Sequence, residues 1–447
     1  MKQVVSYETD ELRKDFLSVR QITMELFQPL SIEDAVMQSD PFGSPPNWHL
    51  AHVTWFFHKI LEEYGLKAND GRIVNSDYLN SYYQRFKRIL PKSERGKFPR
   101  PTVNQTLEYR KDIEKRVLNM LERFDKEDAL TEKFVYDLML ANQHEMQHQE
   151  LMIYDFQHYF NRYQDPIDNY APKNKNELRT KNKKVERDMV TIPGGIYHLG
   201  FNGTGFCYDN ELPEHKVYLQ PYQIDIYPVT NADYMAFISS GGYEDYRFWL
   251  ADGWDLISQN NWKAPLYWEN IDGQWYKKDF HGLSKVPPEQ PVTNVSYYEA
   301  DAYARWLGKR IPTEAEWEKA SSWNEGLQKK TKYPWGDELP TEDHANLLES
   351  WTWSASDIGT YPMGKSYYGC HQMIGDVWEW TSSEYVLYPR FKSRFQEYTD
   401  KWSINQKVLR GGSFATSKNQ IRNSYRNYFK PHERILFSGF RCAKDIT

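Results

Sequence analysis

The chain has 447 residues and a formal net charge of −6; 40% of its residues are hydrophobic and 26% are charged. A chain of this length exceeds one ordinary hydrophobic core, so two or three domains are expected. The acidic balance, with one short Lys/Arg-rich stretch near residue 180, argues against a nucleic-acid partner. No stretch approaches ~18 uninterrupted apolar residues and no signal-peptide-like segment opens the chain, so we expect a cytoplasmic protein without a membrane partner.

Residues 1–165 are predicted to be mainly helical, because apolar residues recur at intervals of three and four. Pro45 and Pro46 fit the start of the second helix, where a missing N–H costs little. A four-helix bundle is the simplest way to bury four such stripes. The predicted segments are DELRKDFLSVRQITMELFQPL, WHLAHVTWFFHKILEEYG, TLEYRKDIEKRVLNMLERF and LTEKFVYDLMLANQHEMQHQELMIYDFQHYF.

The composition changes after the helical part. Residues 166–187 are polar, rich in Lys and Asn, and typical of a linker. Residues 188–447 are predicted to form an α+β domain with much irregular structure. Short β-like runs cover 189–200 and 215–230, and one clear helix is predicted over 296–310.

The three cysteines, Cys207, Cys370 and Cys442, are widely separated and odd in number. They form no CxxC pair and indicate no disulfide framework.

Two histidines of the last predicted helix, His144 and His148, are spaced i and i+4 in the sequence HEMQH. On a helix both imidazoles project from one face and can reach one metal ion. Upstream, His49 and His52 lie three apart on another helix, and facing helices of a bundle readily combine such residues. One of these two histidines could bind the metal, while the other holds a ligand in its orientation or simply packs in the core.

Two other interpretations of these histidines stay open. They could be packed core or surface residues without a ligand. The HExxH pattern also suits a zinc hydrolase with Glu145 as general base, although no third ligand follows downstream. Spacing alone does not choose iron over zinc.

Several blocks of the sequence resemble a known family, the ergothioneine-biosynthesis sulfoxide synthases. WHLAHVTWFF, NSYY, ERGKFPRPTV and HEMQHQE are similar, in order, to the DinB-like metal-binding bundle of these enzymes. The second half resembles the formylglycine-generating-enzyme-like, C-type-lectin-like domain that completes their active site. Its marks are TIPGGIYHLG, YPVTNADYMAF, PVTNVSYYEADAYARWLGKRIPTEAEWE, YPWGDE, GDVWEWTSS, LRGGSFATS and FSGFRC.

The resemblance implies an O2-dependent non-heme iron enzyme that joins a sulfur donor to trimethylhistidine (hercynine). It makes His52, His144 and His148 the Fe(II) ligands, with His49 as the non-ligand member of its pair. Gln147 and Asn427 fall where the family contacts the histidine-derived substrate. A structural Ca2+ in the C-terminal domain is also implied, without assigned ligands.

The chemistry also needs a hydroxyl that can give a proton or hydrogen atom, and in NSYY the candidates are Tyr82 and Tyr83. Arg95 is a candidate donor to a carboxylate of the sulfur substrate. Phe429, after Tyr428, stands where some members carry an acidic residue for γ-glutamylcysteine. Because Phe429 replaces that acidic residue here, free cysteine is favoured as the sulfur donor.

Related activities share this fold. Residues 411–430 lack the late cysteine pair with which formylglycine-generating enzymes act. An ovothiol-type enzyme usually carries a methyltransferase domain, for which the sequence gives no sign. A selenoneine-type enzyme and a non-catalytic metal- or ligand-binding module remain as alternatives, and the sequence gives no indication of oligomeric state.

Overall fold

The computed structural model describes residues 8–66, 76–86, 89, 91–97, 101–126, 131–163 and 188–446. The chain divides into two compact units. The first holds the helices up to Arg162 together with residues 204–206, and the second holds the other described residues from Asp188 onward. The predicted linker, 166–187, lies outside the described residues.

The first unit is a helical bundle, as predicted. Helices α1 and α3 each pack against both α4 and α5, which brings four long helices around one core. None of the described helices has both the length and the apolar character needed to cross a membrane. The helices are α1 (Thr9–Phe27), the short α2 (Ile32–Ala35), α3 (Pro46–Leu61), α4 (Val103–Lys126) and α5 (Glu132–Arg162).

Two of these helices determine where the histidines lie. Helix α3 begins at Pro46, as the proline pair predicts, and all its residues except Lys59 are buried. Helix α5 is capped by Thr131, whose hydroxyl accepts the N–H of Phe134 at 3.1 Å. Because α3 and α5 pack against each other, polar side chains on their facing sides are removed from water.

The second unit combines small sheets with loops, which confirms the predicted α+β class with much irregular structure. Its described strands form five small sheets, and all strand pairs are antiparallel except β10 with β13. The sheets are β1 (Met189–Ile192) with β4 (Tyr222–Asp225) and β14 (Ala443–Asp445), β2 (Gly195–Leu199) with β3 (His215–Leu219), β5 (Trp268–Ile271) with β6 (Gln274–Asp279) and β7 (Gly282–Lys285), β8 (Trp323–Asn324) with β9 (Lys329–Lys330), and β10 (Trp378–Glu384) with β11 (Lys407–Arg410), β12 (Asn427–Phe429) and β13 (Ser438–Gly439).

The helix predicted over 296–310 is present as α8 (Tyr297–Trp306), where Ser296 and Glu299 form a capping box. Three further helices of nine or ten residues were not predicted. They are α6 (Asn231–Ser239), α7 (Ala251–Asn260) and α9 (Glu314–Ser322). Capping boxes at α6 and α9 were readable signals for two of them.

The core of the second unit contains paired charges. Arg410 donates to Glu314 at 2.8 Å and to Glu318 at 2.5 Å, and all three side chains are buried. Cys442 is a buried free thiol, as are the other two cysteines. These groups hold loops together through specific partners, which a local sequence pattern does not reveal.

Candidate metal centre

Three histidine side chains converge inside the bundle. His52 projects from α3, and His144 and His148 project from successive turns of α5. One ring nitrogen from each lies within 4.8 Å of the others, and all three side chains are buried. In the part of the chain that the structure describes, this is the one such group of His, Cys, Asp or Glu side chains.

The spacing of these nitrogens suits one metal ion. Nε2 of His52 lies 3.3 Å from Nε2 of His144. Two nitrogens bound to one ion by bonds of about 2.1 Å lie about 3.0 Å apart at a right angle and about 3.4 Å apart at a tetrahedral angle. The His52–His144 pair therefore has the spacing of two ligands of one ion, and the three nitrogens lie within 4.8 Å of one another.

Hydrogen bonds determine which ring nitrogen of His52 and of His148 is available to bind a metal ion. The Nδ1–H of His52 donates to the carbonyl oxygen of Leu79 at 2.5 Å, which leaves Nε2 with its lone pair. Nδ1 of His148 lies 2.7 Å from Nδ1 of His49, and Nε2 of His49 lies 2.9 Å from a carboxylate oxygen of Asp155. The available nitrogen of His148 is thus also Nε2.

Burial keeps the three imidazoles neutral. It lowers the pKa of His52 and of His148 well below the usual value, and proximity to His144 adds to both shifts. Burial also lowers the pKa of His144 to about 3. Neutral imidazole is the form that binds a metal. Because the unfolded chain takes up protons near pH 6.5 and the folded site does not, acid destabilises the metal-free bundle.

Glu145, the acidic residue of HExxH, is engaged elsewhere. One of its oxygens accepts from Arg110 and from Thr23, both at 2.6 Å, and the other accepts from Arg20 at 2.7 Å. Although burial by itself raises a carboxyl pKa, Arg110 and Arg20 hold the pKa of Glu145 below its usual value. A carboxylate held as a permanent anion by two guanidiniums is a poor general base, which speaks against the zinc-hydrolase interpretation.

Aromatic rings fix the orientation of the ligands. Trp48 stacks on His52 with ring centroids 4.5 Å apart and planes 10° apart, and Trp55 lies against the same ring at 5.7 Å. Phe56 stacks on His144 at 3.9 Å. Rings packed in this way keep their orientation before any ion binds.

Arg95 lies beside this cluster and has few partners. Its guanidinium sits 3.6 Å from the ring centre of Trp48 and donates to the hydroxyl of Ser44 at 2.8 Å. Within the described residues its Nε has no hydrogen-bond partner, and no carboxylate pairs with it at ion-pair distance. Burial lowers its pKa to about 9, which leaves a buried cation able to accept an anion.

The two candidate tyrosines lie in the same unit. Tyr83 is fully buried against Phe56, with ring centroids 5.9 Å apart, and its backbone is hydrogen-bonded to the side chain of Asn80. Tyr82 is half-buried, and its hydroxyl lies 3.2 Å from that of Tyr83. Tyr83 thus contacts a ring that packs on His144, and Tyr82 contacts Tyr83.

Comparison with known proteins agrees with this architecture. The DinB superfamily model matches residues 15–152, and the model of the sulfatase-modifying factor enzyme 1-like domain matches residues 174–446. A hercynine oxygenase of Mycolicibacterium thermoresistibile is 34% identical over 446 residues, which cover 98% of this chain and 95% of that protein. The chain belongs to the hercynine oxygenase family, the ergothioneine sulfoxide synthases.

Two more relatives show how far the likeness extends. A hercynine oxygenase of Mycolicibacterium smegmatis is 32% identical over 449 residues, which cover 98% of this chain and 99% of that protein. A formylglycine-generating enzyme of Thermomonospora curvata is 31% identical over 296 residues, covering 60% of this chain and 96% of that enzyme. The hercynine oxygenases alone among these three match nearly the whole chain, which confirms the predicted family.

In this member of the hercynine oxygenase family, three candidate substrate residues lie on β12 of the second unit. Asn427, Tyr428 and Phe429 are half-buried on the edge strand of the four-stranded sheet. The side-chain oxygen of Asn427 accepts the N–H of Tyr428 at 2.9 Å, and Tyr428 stacks on Tyr385 at 3.9 Å. Gln147, the other candidate, is half-buried on α5 between the two histidines.

One residue near the three histidines was not predicted from the sequence. Asp155, which binds His49, lies seven residues after His148, two helical turns along the same face of α5. This i, i+7 spacing of an acidic residue was a readable signal. The spacing of His49 and His52, in contrast, did not show which of them belongs to the three-histidine group.

Proposed function

We propose that this chain is an Fe(II)- and O2-dependent sulfoxide synthase that joins the sulfur of cysteine to the imidazole of hercynine. The convergence of three neutral imidazoles from two helices supports a metal of this kind most directly. The family and the names of the relatives supply the substrate class. Overall, one imidazole C–H and one S–H bond are broken, C–S and S=O bonds form, and O2 ends as the sulfoxide oxygen and one water.

The histidines fit ferrous iron for two reasons. His52, His144 and His148 are neutral nitrogen donors, which suit iron as well as zinc. Three protein ligands leave positions on a six-coordinate ion for substrates. Fe(II), when bound there, would supply the electrons that activate O2 and a site for the donor thiolate. The structural calcium ion implied by the resemblance remains a prediction without assigned ligands.

The residues around the site take the other roles. Arg95 would bind a carboxylate of the thiol donor, because its buried guanidinium has free donor capacity. Tyr82, whose hydroxyl lies 3.2 Å from that of Tyr83, would give a proton or hydrogen atom during the oxygen chemistry. This proton delivery would favour C–S bond formation over oxidation of the thiol alone.

For hercynine, we propose that Gln147, which lies between His144 and His148 on α5, binds the imidazole. The trimethylammonium group is expected among aromatic rings, where cation–π attraction is worth ~0.5–2 kcal/mol. Phe429 offers no charge to the free amino group of a γ-glutamyl unit. We therefore propose cysteine as the preferred sulfur donor.

Anaerobic reconstitution tests this proposal. Metal-free protein is loaded with Fe(II) and given hercynine with cysteine or with γ-glutamylcysteine, then O2, and the products are identified by mass spectrometry. We expect hercynyl-cysteine sulfoxide, formed faster from cysteine than from the dipeptide. His144→Ala should abolish the product and the bound iron while the far-ultraviolet circular dichroism stays unchanged.

The control replaces another buried histidine of α3. His58, whose Nδ1 lies 3.1 Å from the hydroxyl of Tyr109, is not in the three-histidine group. His58→Gln should retain both iron and product. Sulfoxide formation by His144→Ala, or hydrolysis supported by zinc alone, would overturn the proposed function.

A further inference from the structure

The hydrogen bonds behind His148 form a chain that ends on a buried carboxylate. Asp155 accepts from Nε2 of His49 at 2.9 Å, and Nδ1 of His49 lies 2.7 Å from Nδ1 of His148. All three side chains are at least nine-tenths buried. The same oxygen of Asp155 also accepts the backbone N–H of Ser44 at 3.0 Å, which fixes the carboxylate in place.

These hydrogen bonds allow one arrangement of protons in which His148 can bind a metal ion. A carboxylate only accepts, so Nε2 of His49 carries its hydrogen, and Nδ1 of neutral His49 is then an acceptor. The Nδ1–H of His148 must donate to it, which leaves Nε2 of His148 with a lone pair. In the opposite arrangement His148 would carry its hydrogen on Nε2 and could not bind an ion there.

We propose that His49 and Asp155 are positioning residues that hold His148 in its metal-binding tautomer and increase electron donation from its ring. This inference rests on the proposed function, because it needs a metal at the three histidines. The other ligand whose outer partner is known, His52, donates to a neutral backbone carbonyl. His148 alone of these two is therefore linked to a negative charge, which makes its imidazole the stronger donor.

Gly43 allows an independent test of the hydrogen-bonded series Asp155–His49–His148, which we call the relay. A methyl group at residue 43 would overlap the carboxylate of Asp155, and the backbone of Gly43 does not require glycine. Gly43→Ala should therefore displace the carboxylate without removing its charge. Its effect on the metal site would report the position of Asp155 rather than its presence.

Two variants separate the effect of the hydrogen-bond acceptor, Nδ1 of His49, from the effect of the negative charge of Asp155. His49→Gln can still donate to Asp155 but loses the ring acceptor for His148. Asp155→Asn can keep both hydrogen bonds through one amide oxygen, since a single oxygen of Asp155 receives them now, and removes only the charge. His58→Gln is the matched control, a buried histidine on the same helix as His49.

Two measurements on the full chain test the relay. The dissociation constant for Co(II) is measured by competition with a chelating dye, and the Fe(III)/Fe(II) midpoint potential by equilibration with redox mediators. We expect His49→Gln to weaken Co(II) binding about 10–100-fold. Asp155→Asn should weaken it less and shift the potential to more positive values, because a poorer donor favours Fe(II). His58→Gln should change neither.

The possible failures are distinguishable. If wild-type protein and His144→Ala bind Co(II) equally poorly, the metal site fails and the relay with it. If His144→Ala loses Co(II) while Asp155→Asn and Gly43→Ala keep wild-type affinity and potential, the relay alone is overturned. The latter two variants answer the question even if His49→Gln does not fold.

Discussion

Replacing Glu145 by Gln separates a structural role of this residue from a catalytic one. The carboxylate is fully buried and receives hydrogen bonds from Arg20, Arg110 and Thr23. An amide of the same shape removes the charge and turns an N–H toward one of the two guanidiniums. Glu114 remains within 3.0 Å of Arg20 and 3.3 Å of Arg110, but it is partly exposed.

Glu145→Gln should lower the free energy of unfolding, because the buried guanidiniums of Arg20 and Arg110 lose the carboxylate that balances their charge. Breaking a buried ion pair typically costs about 3–5 kcal/mol, which is a large part of the stability of a domain. For a bundle of this size that corresponds to a melting temperature lower by roughly 10 °C. Thermal unfolding followed by far-ultraviolet circular dichroism, in which the helical signal dominates, measures the shift. Glu114→Gln, a partly exposed member of the same cluster, should cost about 1 kcal/mol or less.

Co(II) affinity of the folded Glu145→Gln protein should remain that of wild type, since the three histidines keep their positions. A Glu145→Gln variant that is as stable as wild type and binds Co(II) fully, yet forms no product, would contradict a structural role for Glu145. That result would return Glu145 to the role of a general base.

Three further expectations concern other groups of the site. Between pH 7 and 5 the metal-free protein should lose about 2 kcal/mol of unfolding free energy through His144 alone, because folding lowers the pKa of this side chain from 6.5 to about 3. Denaturant titrations of wild type and of His144→Leu at the two pH values measure this loss. An equal dependence of stability on pH in the two proteins would contradict the expectation. Arg95→Met should raise the KM for cysteine about 10–100-fold without lowering stability, as steady-state kinetics and melting curves can show. An unchanged KM would remove Arg95 from the donor site. Tyr82→Phe should keep its iron but shift the products, measured by mass spectrometry, from sulfoxide toward oxidised cysteine; an unchanged ratio would exclude it as the proton donor.

The bundle was predictable because its signals are local. The apolar spacing of α5 and the proline pair at the start of α3 follow from the periodicity and conformational limits of a helix. The i, i+4 spacing of His144 and His148 likewise indicates a shared face. These features depend on residues near one another in the sequence.

The remaining features depend on residues far apart in the chain. Only the packed structure shows that Glu145 meets Arg20 and Arg110, or that Asp155 holds His49 and leaves His52 for the three-histidine group. The same holds for the paired charges in the second unit. Spacing along α5 can place Asp155 on the same face as His148, but it does not identify His49 as its partner, because such contacts depend on tertiary packing.

Anomalous diffraction from crystals of the metal-free protein soaked anaerobically with Fe(II) tests the central claim most directly. We expect one strong peak at the iron edge in the bundle, within bonding distance of Nε2 of His52, His144 and His148. A peak at His49 and Asp155 instead, or no peak among these histidines at full loading, would contradict the account.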